Sequence, residues 1–570
     1  MYNKEKKWMI KAYNEDVDFH LSVDSKIRKF LWMIGLSDEE EMEEFFSLSP
    51  RKTYDPFLLK NMDKVILKIK QTIAEDKKIC IYGDYDVDGV TSVSLLYEVL
   101  SLLTDKIDYY IPSRFEEGYG LNKEALQNIK NKGTDLVITV DCGSTSVAEV
   151  DYAKEIGLDI VVTDHHHVGE KLPECLILNP KQHDCTYPFK DICGCGVAFK
   201  LAQGLQRKAN LPKQILLDVL DLLAIGTVSD IVPLLDENRT FVKYGLKEIN
   251  KKKRKGLAAL IEGIGLGEKK IKSYHISFII GPHINAAGRI NHALTGVELL
   301  LSDNEKEIDD KTALLIESNR ERRNIQKDAF DQCYEIAVKN HPEDLFLVIE
   351  SPNTHEGVAG IVASKIKEAF YRPTIIVTRS DGAKVFKGTG RSIVDINLFQ
   401  YMNQYKENYI KFGGHSGACG FSIYEQDIHL LRENLNKDMQ RIKEKNSDCF
   451  VPKAEISLEL EVSDINFEFV EIIEKLEPFG HKNERPLFLI KNLWIEKKYL
   501  MGKDKDHVKV VLKNKNGYTI ECVGFYLKNR FDSFSPDENL SIIGIPEINE
   551  YKGLKKICFQ IEDIKRTSEI

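Results

Sequence analysis

The chain has 570 residues, of which 42% are hydrophobic and 30% charged, and its formal net charge is −9. This length predicts about three or four domains, and the composition excludes a disordered chain. The sequence lacks an apolar run of about 20 residues and an apolar signal segment, which excludes a membrane helix and a secretory leader and favours a cytoplasmic location. The acidic balance confines any nucleic-acid site to a local groove.

The first half of the chain predicts an α/β domain. Residues 1–55 are polar with helical patches, and we expect them to form an N-terminal extension that packs on the first domain. From about residue 78, short β-branched runs alternate with helical stretches, which is typical of βαβ units around a parallel sheet. The runs are apolar on both faces, so helices should cover both sides of the sheet. They read KKICIYGD, KIDYYIP, TDLVITVDCG, LDIVVTDHHH and CLILNP.

The second half predicts two further regions. A long helical pattern without Pro or Gly ends at residue 340 and could join two lobes. A second α/β region begins at DLFLVIE and continues to about residue 445. The last region, from about residue 450, is rich in β patterns with Gly and Asn turns, which indicates a small barrel or a sandwich.

Three aspartates directly follow the first predicted strand. Asp84, Asp86 and Asp88 occupy alternate positions before Gly89, in GDYDVDG. Desolvated carboxylates this close would repel one another strongly unless a divalent cation neutralised them. An ordinary Asp-rich turn is the alternative interpretation of this segment.

Other strand ends carry similar groups. Asp141 ends one strand, and the run Asp164-His165-His166-His167 ends the next. Asp230 is a charge inside the apolar segment AIGTVSDIVPL. Ligands of parallel α/β sheets bind at the carboxyl ends of the strands, so these groups should share one crevice. Mixed Asp and His ligands favour Mn²⁺, then Mg²⁺, and so many ligands predict two ions about 3.5–4 Å apart.

Four motifs, GDYDVDG, VDCG, DHH and the later SD, resemble those of the DHH phosphoesterase superfamily. Within it, further segments are similar to the RecJ family of single-strand-specific exonucleases. These segments are RFEEGYGL, GPHINAAGRI, HEGVAGIVASKI, GTGRSI and FGGHSGACGF. The resemblance extends over about residues 55–565 in the same motif order.

The resemblance implies 5′-to-3′ hydrolysis of single-stranded DNA, in repair and recombination, with two Mn²⁺ or Mg²⁺ ions. It implies five metal ligands: Asp86, Asp88, Asp141, His165 and Asp230. Asp84 would be a further ligand or a neighbour of the ligands, and His166 would contact the substrate. The implied domains are the extension 1–55, a DHH catalytic domain 56–300, a connecting helix 301–342, a DHH-associated domain 343–448 and an OB-like nucleic-acid-binding domain 449–570.

The remaining implied site residues would contact DNA. Thr389, Arg391 and His415 would lie at the scissile region or the 5′ phosphate, and we expect Arg391 and the Gly413-Gly414-His415 segment to be in glycine-flanked loops. Further candidates for phosphate or strand contacts are Arg114, Asn285, Arg289, Arg320 and Arg323. For Arg114, Arg289 and Arg391 a surface ion pair is the alternative interpretation, and for Arg320 and Arg323 it is a solvated helix face.

Single-stranded DNA is the implied partner, together with single-strand-binding protein and a RecQ-type helicase, and a monomer is expected. One alternative function is a DHH phosphodiesterase that acts on short oligonucleotides or cyclic dinucleotides. The other is a non-catalytic DNA-binding relative.

Overall fold

The structure is a computed structural model that describes residues 5–11, 24–36, 38–46, 53–114, 116–118, 120–290, 292–379, 384–551 and 553–570. The chain forms two compact units. The first unit comprises Leu48–Asn324 and Pro478–Glu484, and the second comprises Met1–Ser47, Ile325–Glu477 and Arg485–Ile570. Among the described residues, no helix is both long enough and apolar enough to cross a membrane.

The N-terminal elements are β1 (Lys7–Ile10), α1 (Ser25–Met33) and α2 (Glu39–Phe46). β1 pairs in parallel with residues 453–456 of the second unit. Phe30 of α1 lies 6.0 Å from Phe469 and 5.3 Å from Phe488, measured between ring centroids. The prediction that this extension packs on the first domain is therefore wrong for β1 and α1, because an apolar helix face does not specify which distant strand it will cover. Tyr54, by contrast, does pack against the core of the first unit.

The elements of the first unit alternate between strand and helix as far as residue 178 and are helical beyond it. They are α3 (Met62–Ala74), β2 (Ile79–Gly83), α4 (Val87–Leu100), β3 (Ile107–Tyr110), α5 (Lys123–Asn131), β4 (Leu136–Val140), α6 (Val147–Glu155), β5 (Asp159–Thr163), β6 (Leu176–Leu178), α7 (Gly194–Lys208), α8 (Gln214–Asp218), α9 (Leu220–Ser229), α10 (Asp236–Ile249), α11 (Lys255–Gly263), α12 (Ser273–His275), a π-helical turn (Ile276–Ile280), α13 (Gly281–Ile290) and α14 (Leu294–Leu301).

The first unit is built on a parallel sheet with strand order β3-β2-β4-β5-β6. Ile79 and Ile81 of β2 belong to the hydrophobic core on one face, whereas Cys80 and Tyr82 belong to the core on the other. Both faces are therefore covered, as the apolar strands predicted. β2 lies between β3 and β4, so the connections after β2 and after β3 run in opposite directions across the sheet. This reversal is the switch point at which such sheets open a crevice.

The predicted long helix is confirmed as α15 (Glu305–Asn340), which has 36 residues. Its sequence passes from the first unit into the second. Leu315 belongs to the core of the first unit, and Cys333 and Ala337 belong to a core of the second.

The second unit contains the predicted second α/β region. Its elements are β7 (Leu347–Glu350), α16 (Glu356–Phe370), β8 (Thr374–Arg379), β9 (Val385–Arg391), α17 (Leu398–Asn403), β10 (Tyr409–His415), β11 (Ala418–Tyr424) and α18 (Ile428–Lys445). The strand order is β10-β11-β9-β8-β7, with β7 and β8 parallel and the other pairs antiparallel.

The C-terminal region is a closed barrel, which confirms one of the two predicted architectures. Its elements are β12 (Lys453–Glu459), α19 (Phe467–Lys475), β13 (Leu487–Met501), β14 (His507–Asn514), β15 (Thr519–Gly524), α20 (Lys528–Asp532), β16 (Leu540–Tyr551) and β17 (Leu554–Arg566). The order β13-β14-β15-β17-β16 closes through pairing of β13 with β16, and β12 and β1 extend the sheet beyond β13. Short 3₁₀ turns lie at Pro56–Leu58, Lys406–Asn408, Glu425–Asp427, Ser447–Phe450, Val462–Asp464 and Thr567–Glu569.

Candidate metal centre

Three neighbouring strands end at the switch point and place acidic or imidazole groups there. Gly83 at the end of β2 is in register with Val140 at the end of β4, and Val140 is in register with Thr163 of β5. Asp84, Asp141 and Asp164 are the residues that follow these three strand ends. Parallel register therefore places them side by side, and Asp84 and Asp141 are 3% and 2% exposed.

The turn after β2 holds its aspartates through backbone hydrogen bonds. Asp86 caps α4: its Oδ1 accepts hydrogen bonds from the N–H groups of Asp88 (2.9 Å) and Gly89 (3.1 Å). A Cβ on Gly89 would lie 2.2 Å from the carbonyl oxygen of Asp84, so the turn requires glycine there. One oxygen each of Asp84, Asp86 and Asp141 lie within 4.8 Å of one another.

Asp88 is oriented by the start of α7. Its Oδ2 accepts a hydrogen bond from the N–H of Gly194 (2.6 Å), and its Oδ1 accepts one from Cys195 (2.9 Å). A Cβ on Gly194 would lie 2.6 Å from the Cβ of Asp141. The sequence reasoning missed this helix terminus, although the GCG segment was a usable signal because glycine permits close backbone approach.

His165 lies at the centre of the group. Its Nε2 is 3.1 Å from Asp141 Oδ1, 3.6 Å from Asp230 Oδ2 and 3.9 Å from Asp88 Oδ2. Asp230, which directly follows α9, thus joins the strand-end residues. The structure brings together all five residues predicted as ligands, which fall into overlapping groups around Asp141 and His165.

Asp164 was absent from the predicted ligand set, and the structure gives it a positioning role. Its Oδ1 accepts hydrogen bonds from the backbone N–H groups of His165 (2.7 Å) and His166 (3.1 Å) and lies 2.8 Å from His166 Nδ1. Burial opposes ionisation of Asp164, but its hydrogen bond with His166 and the charge of that ring lower its pKa. The same bond raises the pKa of His166 against the effect of burial. His166 thus has a fixed ring orientation.

Asp141 has a left-handed backbone conformation, with φ of 63°. Such a conformation is uncommon for a residue with a side chain, is best tolerated by Asp and Asn, and often occurs at functional sites. It follows β4 directly and precedes Gly143, whose φ is 108°. The sharp turn is thus held in a strained geometry between a buried strand and the start of α7.

The electrostatics of the cluster favour a cation. Burial, followed by the charge of Asp88, raises the pKa of Asp141 well above its usual value. Burial and the charge of Asp86 raise the pKa of Asp88 to about 7, and burial lowers the pKa of His165 to about 3. Among the described residues, Asp141 Oδ1 and His165 Nε2 are buried atoms without a hydrogen-bond partner. Oxygen and imidazole donors left in this state fit a divalent metal ion.

Three groups of possible ligands can be drawn from the described residues: Asp84, Asp86 and Asp141; Asp88, His165 and Asp230; and Asp141, His165 and His166. In each group the donor atoms lie within 4.8 Å of one another. The first two groups share no residue, and Asp141 Oδ1 lies against His165 Nε2. These residues would hold up to two divalent ions, which would supply the charge stabilisation that two-metal phosphoester hydrolysis uses.

Three further predicted residues lie in the first unit, and two of them lie near the turn after β2. The Arg114 guanidinium lies 5.0 Å from the centroid of the Tyr85 ring. Arg114 and Arg289 both lower the pKa of Tyr85, although burial and Asp84 raise it more. Asn285 is on α13 with Arg289, and its Oδ1 is buried without a hydrogen-bond partner among the described residues. The structure therefore brings Arg114 and Arg289 close to the aspartate turn.

Arg320 and Arg323 lie on α15 and are exposed. Arg320 forms an ion pair with Glu317 at 2.7 Å and its side chain is 71% exposed, which matches the alternative interpretation of a solvated helix face. Arg323 and the half-buried Arg322 both lower the pKa of His283 on α13, after burial. Sequence reasoning missed Arg322, which donates a hydrogen bond to Asn319.

The predicted residues of the second unit lie on strands. Arg391 ends β9 and His415 ends β10, so the prediction of two loops is wrong. Their glycines serve close strand packing: a Cβ on Gly388 would lie 2.1 Å from the Phe421 ring, and one on Gly414 would lie 2.4 Å from the carbonyl oxygen of Ala418. A glycine-rich pattern alone does not distinguish a phosphate-binding loop from closely packed strands.

The register of this sheet still groups the predicted residues. Arg391 and His415 are both in register with Ala418 of β11, on its opposite sides. Thr389 is on the same strand as Arg391, two residues earlier. Arg391 Nη2 lies over α16, where a Cβ on Gly360 would approach it to 2.8 Å. One end of the sheet thus presents an arginine and an exposed imidazole on the two strands that flank β11.

A parallel α/β unit whose switch point collects buried carboxylates and imidazoles defines a metal-dependent hydrolase of phosphoesters. Three family models match the chain: "DHH family, N-terminal domain" at residues 78–227, "DHHA1 domain" at 344–441 and "RecJ OB domain" at 456–563. The single-stranded-DNA-specific exonuclease RecJ of Bacillus subtilis is 36% identical over 99% of this chain and 71% of that protein.

The fold is also similar to solved structures. RecJ of Thermus thermophilus in complex with Mn²⁺ matches with a TM-score of 0.79 and 26% identity over 98% of this chain and 79% of that one. The same protein in complex with Mg²⁺ matches with a TM-score of 0.75 and 25% identity over 98% and 78%. The chain belongs to the RecJ family.

The metal centre leads to a first prediction. Mn²⁺ should raise the melting temperature of the chain, because at 100 times its dissociation constant a ligand adds about 2.7 kcal/mol to the free energy of unfolding. The raised carboxyl pKa values mean that the metal-free fold loses stability as pH rises through them, whereas the ion requires the ionised forms. The shift should therefore be larger at about pH 7.5 than at about pH 6. Thermal scans of EDTA-treated protein with added Mn²⁺ measure it, and equal shifts at both pH values would contradict the prediction.

Proposed function

We propose that this protein is a single-stranded-DNA-specific exonuclease that hydrolyses phosphodiester bonds from 5′ to 3′ with two Mn²⁺ or Mg²⁺ ions. The observation that carries the proposal is the buried Asp141 Oδ1 at 3.1 Å from His165 Nε2, both without hydrogen bonds and surrounded by the other acidic groups. Family membership supplies the substrate class, and the metal chemistry follows from the donor set.

The metal ligands would be Asp86, Asp88, Asp141, His165 and Asp230, with Asp84 beside them. Bound ions would supply Lewis-acid activation of water and neutralise charge on the scissile phosphate. Asp164 holds His166 Nδ1, so His166 would contact the substrate through its other ring nitrogen. The raised pKa of His166 favours the protonated ring, which would donate a hydrogen bond to a phosphate oxygen.

Positively charged groups around the centre would hold the strand. Arg114, which lies 5.0 Å from the Tyr85 ring, and Arg289, whose charge also acts on Tyr85, would neutralise a phosphate at the turn after β2. Asn285 would bind the strand through its amide, and Arg320 and Arg323 would contact it more weakly because both are solvent-exposed. In the second unit, Thr389, Arg391 and His415 would bind the scissile region or the 5′ phosphate.

The remaining parts of the proposal concern organisation and context. Residues 56–300 would be the catalytic domain, 301–342 the connecting helix, 343–448 the second domain and 449–570 a barrel that binds single strands. The family match at 456–563 supports the last of these. We propose that the protein acts in the cytoplasm as a monomer, in DNA repair and recombination, and that single-strand-binding protein and a RecQ-type helicase deliver its substrate.

Digestion of end-labelled oligonucleotides tests the proposed function. A 5′-labelled single strand should release labelled mononucleotide at once, whereas a 3′-labelled strand should shorten gradually. EDTA should stop both reactions, and a duplex of the same sequence should persist. Immediate release from the 3′ end would overturn the polarity, and preference for a dinucleotide over the long strand would favour the phosphodiesterase alternative.

A further inference from the structure

One stretch of this acidic protein is free of acidic residues. Residues 269–297 contain no Asp or Glu, although the chain has 89 of them in 570 residues. The stretch contains four basic residues: Lys269, Lys270, Lys272 and Arg289. Lys269 and Lys270 are exposed. A local excess of basic over acidic residues attracts a polyanion even when the whole protein is negative.

Two aromatic rings are exposed at the start of the same stretch. Tyr274 is 60% exposed and Phe278 is 67% exposed, and their ring centroids are 4.9 Å apart. Their neighbours Ile276 and Ile280 are fully buried and anchor this helical turn to the core of the first unit. An anchored backbone therefore holds both rings in solvent at a fixed position, so the rings are ready to bind without first being ordered.

The helical stretch that begins at the two rings continues to residues that pack beside the metal centre. A Cβ on Gly281 would lie 2.7 Å from the Oγ of Ser229, which directly precedes Asp230. A Cβ on Gly288 would lie 2.7 Å from the carbonyl oxygen of Tyr85, which directly follows Asp84. The helical stretch thus packs against the residues next to Asp230 and next to Asp84. Phe278 precedes Gly281 by three residues, which is about 5 Å along a helix axis.

We propose that Tyr274 and Phe278 form a stacking platform for bases of the single-stranded substrate, and that Lys269 and Lys270 contact its phosphates. The inference rests on the proposed function and deepens it by assigning a strand-binding surface to the catalytic unit. Every base has a flat face, so such a platform binds without sequence preference. A protein partner would also bury exposed rings, but the absence of acidic residues from this stretch and its packing beside the metal ligands favour DNA.

Binding of a long oligothymidylate tests the platform. Measured in an Asp141→Asn background, which prevents degradation, Tyr274→Ala with Phe278→Ala should raise the dissociation constant by about ten- to a hundredfold. Tyr274→Phe keeps the ring and should bind as the parent does. Leu67→Ala, which removes a 57% exposed side chain from α3 of the same unit, is the matched control and should leave the dissociation constant unchanged.

The contribution of the two lysines is measured through the salt dependence of binding. Lys269→Gln with Lys270→Gln should reduce the slope of log affinity against log salt by up to about 1.4, because each lost contact to a single strand removes about 0.7. With Asp141 unmodified, the double aromatic variant should keep the Mn²⁺-induced rise in melting temperature, which would show that the fold and the metal centre persist. Unchanged oligonucleotide affinity in that variant would overturn the platform. Failure of the unmodified chain to degrade single strands would instead overturn the proposed function.

Discussion

Replacing Asp141 with asparagine is expected to slow hydrolysis of single-stranded DNA by at least about a thousandfold, because ions at such sites contribute several kcal/mol to the reaction. Asparagine has the same shape and tolerates the left-handed backbone at φ 63°, so the fold should persist. It removes the anionic oxygen that faces both His165 and His166. The loss should appear in the rate of mononucleotide release in Mn²⁺, while binding of the strand is retained.

Two further variants make this result interpretable. Asp151→Asn neutralises an exposed aspartate on α6 of the same unit and should leave the rate unchanged. Asp141→Ala should be as inactive as Asp141→Asn but less stable, since alanine is strained at positive φ. If Asp141→Asn released mononucleotides at the rate of the unmodified chain, the assignment of the metal centre would be wrong.

The strand ends were the predictable part of this site. Asp84, Asp141 and His165 follow apolar runs of β-branched residues, and parallel strands bring their carboxyl ends to one edge whatever the intervening sequence. The ends of the apolar runs therefore predicted the positions of these groups at one edge of the sheet, without knowledge of any tertiary contact. Asp230 was also identified, because a charge within an otherwise apolar helix requires a partner.

Contacts between distant segments were not predictable. The N–H groups of Gly194 and Cys195 bind Asp88 across more than a hundred residues, and no local pattern encodes that pairing. Asp164 appeared equivalent to the other aspartates, yet three hydrogen bonds within its own turn make it a support for His166. The glycines of β9 and β10 were assigned to phosphate loops because their packing against Phe421 and Ala418 depends on strand register.

The second large effect is expected on stability. Lys200 and Glu237 form a fully buried ion pair, with Lys200 Nζ 2.7 Å from Glu237 Oε2. Glu237 also accepts hydrogen bonds from the backbone N–H of Tyr54 and from the hydroxyl of Tyr187. Lys200→Met removes one charge and leaves the other buried, which should lower the free energy of unfolding by about 3–5 kcal/mol. Urea unfolding followed by circular dichroism measures the change.

The matched control is on the same helix. Lys208 pairs with Asp63 at 3.2 Å, but its side chain is 51% exposed, so Lys208→Met should cost less than about 1 kcal/mol. Adding Glu237→Gln to Lys200→Met should recover part of the lost stability, because the uncompensated charge disappears while an acceptor for Tyr54 remains. Equal losses in the free energy of unfolding for Lys200→Met and Lys208→Met would contradict the prediction that the buried pair matters more to stability than the exposed one.

The same pair connects packing to the metal centre through α7. The N-terminus of this helix donates the hydrogen bonds that orient Asp88. Lys200 lies six residues after Gly194, about 9 Å along the helix axis, and its ion pair with Glu237 holds the helix in place. Without the lysine, Asp88 should be held less firmly, and a higher Mn²⁺ concentration should be needed to reach half of the full rise in melting temperature. Lys208→Met, at the far end of α7, should leave that concentration unchanged. If Lys200→Met destabilised the chain but left its Mn²⁺ requirement at the control value, the start of α7 would be fixed by Gly194 and its neighbours alone.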